Sequence, residues 1–286
     1  MPNQEEQSSS LSQPGKQNPF RMDFAAALYG QPWAIEQQAM EELTILASSS
    51  EEVEALLTKR GERPKATQLT QVRGSTAIIS INGPIFRFDN FIAWLLGFPS
   101  VELIAPELAR AIESPEIQSI ILSIDSPGGQ VPGINELAEL IHSAGQKKPI
   151  KAYVGGMGAS AAYWLAAAAS EVIIDATAEL GSIGIVFGLR RRADNTLEIV
   201  NTASPKKRPD IETDQGRREI VARADALAEV FISSIARFRG MKPEQVVALQ
   251  GGILVGQSAV QAGLADRIGS LEGLIEELSE PQSLYT

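Results

Sequence analysis

Apolar and polar positions alternate along this chain in two rhythms. Ile117 to Ile124 is a nearly continuous apolar run, Ile150 to Val154 is another, and Thr76 to Asn82 alternates enough to be a strand. Runs of four to eight such residues suit strands buried on both faces of a parallel sheet. Between them, Val101 to Ile112 and Ile134 to Ile141 carry apolar residues at helical spacing, and Ala161 to Ala169 reads as a short buried helix. Glu171 to Asp175, Gly181 to Phe187, Thr196 to Thr202 and Gly252 to Val255 are further strand candidates. Thr213 to Arg239 is a long amphipathic helix, with Ile220, Ala224, Leu227, Val230, Phe231 and Ile235 on one face. Ser258 to Ile268 reads as a helix with a glycine end at Gly263. Strand and helix taking turns predict an α/β domain over residues 75 to 279, with its loops collected at one edge of a sheet.

The flanks read differently. Residues 1 to 22 are polar and rich in Gln, Ser, Asn and Pro, the composition of a disordered tail. Residues 23 to 74 read as a helical appendage and linker. In this stretch Gln31-Pro32-Trp33-Ala34-Ile35 opens a helix with Met40, Leu43, Ile45 and Leu46 on its apolar side, Ser48 to Glu52 starts a second one, and Thr58 to Gly74 is a polar linker. Residues 280 to 286 form a polar tail. An apolar cluster from Phe86 to Phe98, with Phe88, Phe91, Trp94, Leu95 and Leu96, has to be covered by core, by a groove or by another subunit.

Charge and composition remove whole classes of function. The formal net charge is −10 and the pI about 4.8, with no extended basic cluster, so nucleic acid is not an expected partner. No cysteine is present, which excludes disulfides and a thiol nucleophile. The one histidine, His142, falls near the end of a helix, away from the edge where the loops gather. The start is acidic and lacks an apolar core, and no window reaches the roughly 18 apolar residues of a membrane span, so the chain is not expected to be secreted or membrane-spanning.

Two glycine loops carry the candidate chemistry. Gly155-Gly156-Met157-Gly158-Ala159-Ser160 joins a strand to the Ala161 helix, so Ser160 falls where free N–H groups and the positive end of the helix dipole meet. That position suits a nucleophile whose attack makes an oxyanion. A serine that merely N-caps the helix is the plainer reading. Asp125-Ser126-Pro127-Gly128-Gly129 ends the other strand, and paired glycines there can aim backbone N–H groups at a carbonyl oxygen. With His142 misplaced, a general base would have to be a lysine whose pKa falls on burial. Ala203-Ser204-Pro205-Lys206-Lys207-Arg208-Pro209 brings two lysines to the same edge, although a Lys-Lys-Arg run is usually a solvated loop.

Asp125 to Gly129, Gly158-Ala159-Ser160-Ala161-Ala162 and Gly181-Ser182-Ile183-Gly184 together resemble the signature of the S49 family of serine peptidases, the signal peptide peptidase A and protease IV group. The resemblance runs from about Thr76 to Ile275, and Ala262-Gly263-Leu264-Ala265-Asp266 is similar to the family's closing segment. It implies a ClpP/crotonase-like fold of stacked βα units and a Ser/Lys dyad that needs no metal and no cofactor. Ser160 would be the nucleophile and Lys207 the base, with Lys206 as the alternative register. Ser182 would orient the lysine, the N–H groups of Gly129 and Ala161 would form the oxyanion hole, and Gly128 and Gly158 would line the substrate. The Pro-Trp-Ala-Ile entry looks like that of phage-type head maturation proteases. The expected substrate is an unfolded, precursor or signal-peptide-like chain, handled by a ring-shaped homo-oligomer in the cytoplasm or on a phage capsid. Two rival readings stand beside it. One is a non-catalytic scaffold or capsid-assembly protein on the same fold, favoured if Lys207 is exposed to solvent. The other, an acyl-CoA enzyme of crotonase type, would not explain Ser160, Ser182 and Lys207 together.

Overall fold

The buried apolar runs pair side by side. In the computed structural model, which describes residues 28–48, 69–189 and 200–279, the strands in chain order are β1 (Pro32–Ile35), β2 (Thr70–Arg73), β3 (Thr76–Asn82), β4 (Ser119–Ser126), β5 (Gly128–Gln130), β6 (Ile150–Ala159), β7 (Glu171–Ile174), β8 (Glu179–Gly181), β9 (Val186–Phe187), β10 (Ile253–Val255) and β11 (Arg267–Ile268). The helices are α1 (Gln37–Ser48), α2 (Phe91–Leu96), α3 (Val101–Glu113), α4 (Ile134–Gly145), α5 (Ala161–Ala167), α6 (Asp214–Arg239), α7 (Pro243–Val247), α8 (Gln257–Gln261) and α9 (Leu271–Ser279). The main sheet runs β10-β8-β6-β4-β3-β2, with β7 on the first half of β6 and β11 beside β7. β3, β4 and β6 are parallel, as their unbroken apolar sequences require, so the loops after them open at one edge. The fold is mixed α/β.

Helices cover both faces of the sheet. On one face Ile104 and Leu108 of α3, Leu137 and Ile141 of α4 and the whole of α5 pack with Ile79, Ile120, Leu122 and Val154. α5 is buried at every position, and Trp164 stacks on Phe231 of α6 with ring centroids 4.2 Å apart. On the other face Leu274 and Ile275 of α9 close over Ile78, Ile121 and Ile173. His142 lies in the last turn of α4, half-buried against Phe238 at 4.9 Å. No helix among the described residues is long and apolar enough to cross a membrane.

Several elements depart from the sequence reading. Pro32 to Ile35 is strand, not the opening of a helix. Every residue in it is apolar, so periodicity could not separate the two. Pairing on both sides decided the matter: Trp33 and Ile35 point into a cluster with Phe86, while Ala34 points into the main core. The helix follows only at Gln37. Thr70 to Arg73, read as linker, is an edge strand that hairpins back onto β3 through Gly74 at φ +60. One edge strand with three exposed positions needs no apolar pattern, which is why it passed for a loop. Gly181 to Phe187 is broken into β8 and β9, because Ser182 takes φ 52. The expected helix from Ser258 to Ile268 is the short α8 followed by β11. The expected helix start at Ser48 to Glu52 falls largely outside the described residues.

The described side chains of the apolar cluster at residues 86 to 98 are mostly covered within the chain. Trp33 meets Phe86 edge-on at 5.9 Å, Phe86 stacks on Phe98 at 6.4 Å, and Leu28, Ile35 and Leu43 complete the packing, while Phe88 stays exposed. The first half of α6 is the part left open, with Val221 exposed and Ile220 and Ala224 half-buried.

A charged clamp ties the closing segment to this core. Arg239, at the end of α6, donates two hydrogen bonds of 2.9 Å to the Asp266 carboxylate and a third, of 3.0 Å, to the Gly263 carbonyl, while Tyr163 of α5 donates to the Leu264 carbonyl. Burial alone would raise the Asp266 carboxyl, but the Arg239 guanidinium and the Val172 N–H, at 2.6 Å, outweigh it and hold the group below the usual carboxylate range. A depressed folded-state pKa stabilises above the unfolded value, near 3.9, and that stabilisation is lost as pH falls through the lower folded value. Because the Asp266 carboxylate is 40% exposed and its ion pair partly screened by solvent, Asp266→Asn is expected to cost about 1 kcal/mol at pH 7. In urea titrations the gap between variant and wild type should shrink below about pH 4; a gap that does not depend on pH would contradict this role.

Candidate active site

β6 does not stop at Val154. It continues as a strand through Gly155, Gly156 and Gly158, because Met157 to Ala159 pair with β8 and Gly158 also pairs with Ser126 across a bulge in the β4 ladder. The glycines are thus strand, not turn, and the direction changes at a single residue. Ser160 takes φ 54 and ψ −120, a backbone conformation that costs a non-glycine residue on the order of 1–3 kcal/mol. Its N–H is held by the Gly181 carbonyl at 2.8 Å, and its own carbonyl accepts the first helical bond, from Trp164, at 3.0 Å.

The Ser160 hydroxyl is 1% exposed, caps nothing and has no hydrogen-bond partner. A helix-capping serine has extended backbone and accepts from the second or third helical N–H. Ser160 has neither property, so the capping reading fails. A buried hydroxyl without a partner costs about 1–3 kcal/mol. Strain and an unpaired hydroxyl on the same residue are what a reactive site keeps and a merely structural turn discards.

The paired glycines stand beside it. Gly128 has φ +104, and a Cβ there would lie 2.2 Å from the Ala34 carbonyl oxygen and 3.0 Å from the Ala161 nitrogen. A Cβ on Gly129 would lie 2.0 Å from the Ile85 carbonyl oxygen. Only glycine fits either position, and the loop is thereby pressed against the first turn of α5, whose leading N–H groups have no intrahelical acceptor. Two side chains that sequence reasoning passed over hold the loop in place. Ser126 Oγ donates to the Gly83 carbonyl at 2.7 Å and accepts from the Gly128 N–H at 3.2 Å, and the Asp125 carboxylate accepts from the Met157 N–H at 2.9 Å. Both belong to the Asp-Ser-Pro-Gly-Gly motif, which was the available signal.

The other candidates fall into two groups. Ser182 is brought to Ser160: it follows Gly181, whose carbonyl holds the Ser160 N–H, and its own N–H is fixed on the Gly252 carbonyl at 3.0 Å. Gly129, Gly128 and Ala161 are brought there as well, while Gly158 lies between Ser126 and Leu180 within the sheet. The lysines are not brought there. Lys206 and Lys207 lie in an exposed single turn, Pro205–Lys207, and Lys206 Nζ pairs with Glu219 of α6 at 2.9 Å. Neither reaches the Ser160 hydroxyl. Of the expected strand Thr196 to Thr202, the first four residues lie outside the described ones and the last three are not in strand.

Residues 142–284, half of the chain, match the model of peptidase family S49. The chain belongs to peptidase family S49. Among its relatives this S49 chain is 27% identical over 240 residues to the capsid assembly protease C of Escherichia phage lambda, a match covering 80% of this chain and 52% of the phage protein. It is 26% identical over 217 residues to the head-tail preconnector protein GP5 of Enterobacteria phage P21, covering 73% and 43%. It is 28% identical over 218 residues to protease 4 of Salmonella typhi, covering 72% and 34%. The S49 chain thus spans between about a third and a half of the length of these relatives.

The strained serine makes a prediction of opposite sign to a cap. Ser160→Gly should stabilise the fold by about 1 kcal/mol, since glycine takes positive φ freely. Ser160→Ala should cost nothing, whereas loss of a true N-cap serine would cost about 1 kcal/mol. Denaturant midpoints of the two variants decide between these outcomes.

Proposed function

We propose that this chain is a serine endopeptidase that cleaves extended, unfolded or precursor polypeptide with a Ser/Lys dyad. The observation that carries it is Ser160: a buried, unpaired hydroxyl on a strained residue, between a double-glycine loop and a helix start. Ser160 Oγ attacks the peptide carbonyl carbon and forms an ester as the C–N bond breaks. Its proton passes through the Lys207 amine to the leaving amine, and water then hydrolyses the ester by the same route in reverse. The N–H groups of Gly129 and Ala161 carry the oxyanion, and the Ser182 hydroxyl orients the lysine. Relatives named as proteases support this reading, and the name of the lambda relative, a capsid assembly protease, favours precursor chains of an assembling particle as substrate.

An exposed Lys207 is what a scaffold reading would require, but a scaffold has no use for the strain and the unpaired hydroxyl at Ser160. The lysine turn leads directly into the half of α6 that is left open, and Lys206 is paired to that helix. Burying the open half of α6 against the next copy in a closed ring would carry the turn with it, and heterologous contacts that close make rings. The dyad is then completed by assembly.

Ser160→Ala should lose at least 1000-fold in hydrolysis of an unfolded substrate such as casein. Lys207→Ala should lose a similar factor and Lys206→Ala much less; the reverse order would move the base by one residue. Light scattering should show an oligomer, and a mixture of the Ser160→Ala and Lys207→Ala proteins should regain activity. A monomer with full activity would end the ring proposal, and an active Ser160→Ala protein would end the peptidase mechanism.

A further inference from the structure

Strand β1 lies in a three-stranded sheet of order β5-β1-β9, so the chain's own segment fills the slot between the double-glycine loop and the strand that follows Ser182. Its register on β5 is antiparallel, with Trp33 opposite Gln130, Ala34 opposite Gly129 and Ile35 opposite Gly128. Two bonds flank the pair at Gly129: the Glu36 N–H donates to the Pro127 carbonyl at 2.8 Å, and the Val131 N–H to the Pro32 carbonyl at 3.1 Å. In an antiparallel ladder hydrogen-bonded pairs recur at every second residue, which makes Ala34 and Gly129 a hydrogen-bonded pair with the Gly129 N–H aimed at the Ala34 carbonyl. The other edge of β5 agrees, since the Gly128 carbonyl and the Gln130 N–H are both taken by Ile85, at 2.8 Å each. Beyond Gly128, the space of one added methyl separates the Ala34 carbonyl oxygen from the Ala161 nitrogen.

We infer that the slot between β5 and β9 is the peptide-binding groove, that it takes an extended strand with a small residue opposite Gly129, and that in this structure Pro32–Ile35 occupies it as an internal substrate mimic. The inference rests on the reading of Gly129 and Ala161 as oxyanion donors. A carbonyl placed on the Gly129 N–H and next to the Ala161 N–H stands where the carbonyl of a bond under attack would stand. The Gly129 N–H cannot serve that carbonyl and a substrate's together. β1 must leave before a second peptide enters, and its presence accounts for a Ser160 that is 1% exposed. Recognition is by main-chain pairing on both edges, the strand-addition mode of peptide binding. Ala34 is wholly buried at the position opposite Gly129, which leaves no room there for a long side chain. Trp33 is the anchor of the mimic: it is fully buried, donates from Nε1 to the Leu28 carbonyl at 2.9 Å and packs on Phe86.

The test uses the full chain carrying Ser160→Ala, so that binding is read without cleavage, and a fluorescent peptide of residues 30–36, Gly-Gln-Pro-Trp-Ala-Ile-Glu. Two further variants loosen β1, Ala34→Arg and Trp33→Ala, and circular dichroism checks that each is folded. A third fixes the strand: Pro32→Cys with Phe187→Cys, opposite one another in the β1–β9 register, in a chain with no other cysteine. Register partners lie at a Cα separation that a disulfide can span. Expected is peptide binding at least tenfold tighter to either loosened variant than to the parent, and none to the oxidised double-cysteine protein. A peptide with Arg in place of the alanine should bind at least tenfold more weakly than the first. Equal binding to parent, loosened and oxidised proteins, or binding to none of them with at least one loosened variant folded, would overturn the proposal. Because binding is read in Ser160→Ala protein, the result stands apart from the activity tests on which the peptidase reading depends.

Discussion

The bond from the Ser160 N–H to the Gly181 carbonyl, at the end of the β6–β8 ladder, is the constraint on which the site depends. It carries parallel pairing past the point where a glycine-rich sequence would be expected to turn. The change of direction is thereby forced into one residue, and α5 begins at once, buried along its whole length. Gly181 fixes both ends of the arrangement, since its carbonyl holds Ser160 while the chain beyond it turns at Ser182, itself at φ 52. Two non-glycine residues with positive φ stand on neighbouring strands because one strand pairing requires both.

Around that bond the protein spends stability on geometry. Ser160 carries backbone strain and an unpaired hydroxyl, and the double-glycine loop is pressed so close to Ala34, Ile85 and Ala161 that no side chain could be added. Compensation lies farther off: a core of Ile, Leu and Ala on one face of the sheet, the Trp164–Phe231 stack behind α5, and the Arg239–Asp266 clamp that binds the closing segment to α6. A rigid backing of this kind is what allows a turn to stay strained. By contrast, the lysine turn and the first half of α6 are open to solvent.

The strand at Pro32–Ile35 joins these two themes. It fills the slot beside the glycine loop, covers the apolar cluster around Phe86 and takes up the Gly129 N–H. An apolar tetrapeptide thus serves packing and blocks a site at the same time, and nothing requires the two roles to belong to different residues.

The strands β3, β4 and β6, the helices α3, α4 and α6, and the placing of Ser160 between a glycine run and a buried helix were legible in the sequence, because each depends on local periodicity and on residue types with few conformations. So was the double-glycine loop, since only glycine allows such close approach. The strand character of Pro32–Ile35 was not legible: four apolar residues fit helix or strand equally, and two distant edges, at Gly128–Gln130 and Val186–Phe187, decided between them. The edge strand Thr70–Arg73 was hidden for a similar reason, because a solvated edge needs no apolar pattern. That Ser160 is strained and unpaired rather than a cap, and that Lys207 does not reach it within one chain, are facts about φ angles and distances between segments far apart in sequence. Spacing along a chain carries no record of these, and only the packed sheet determines them.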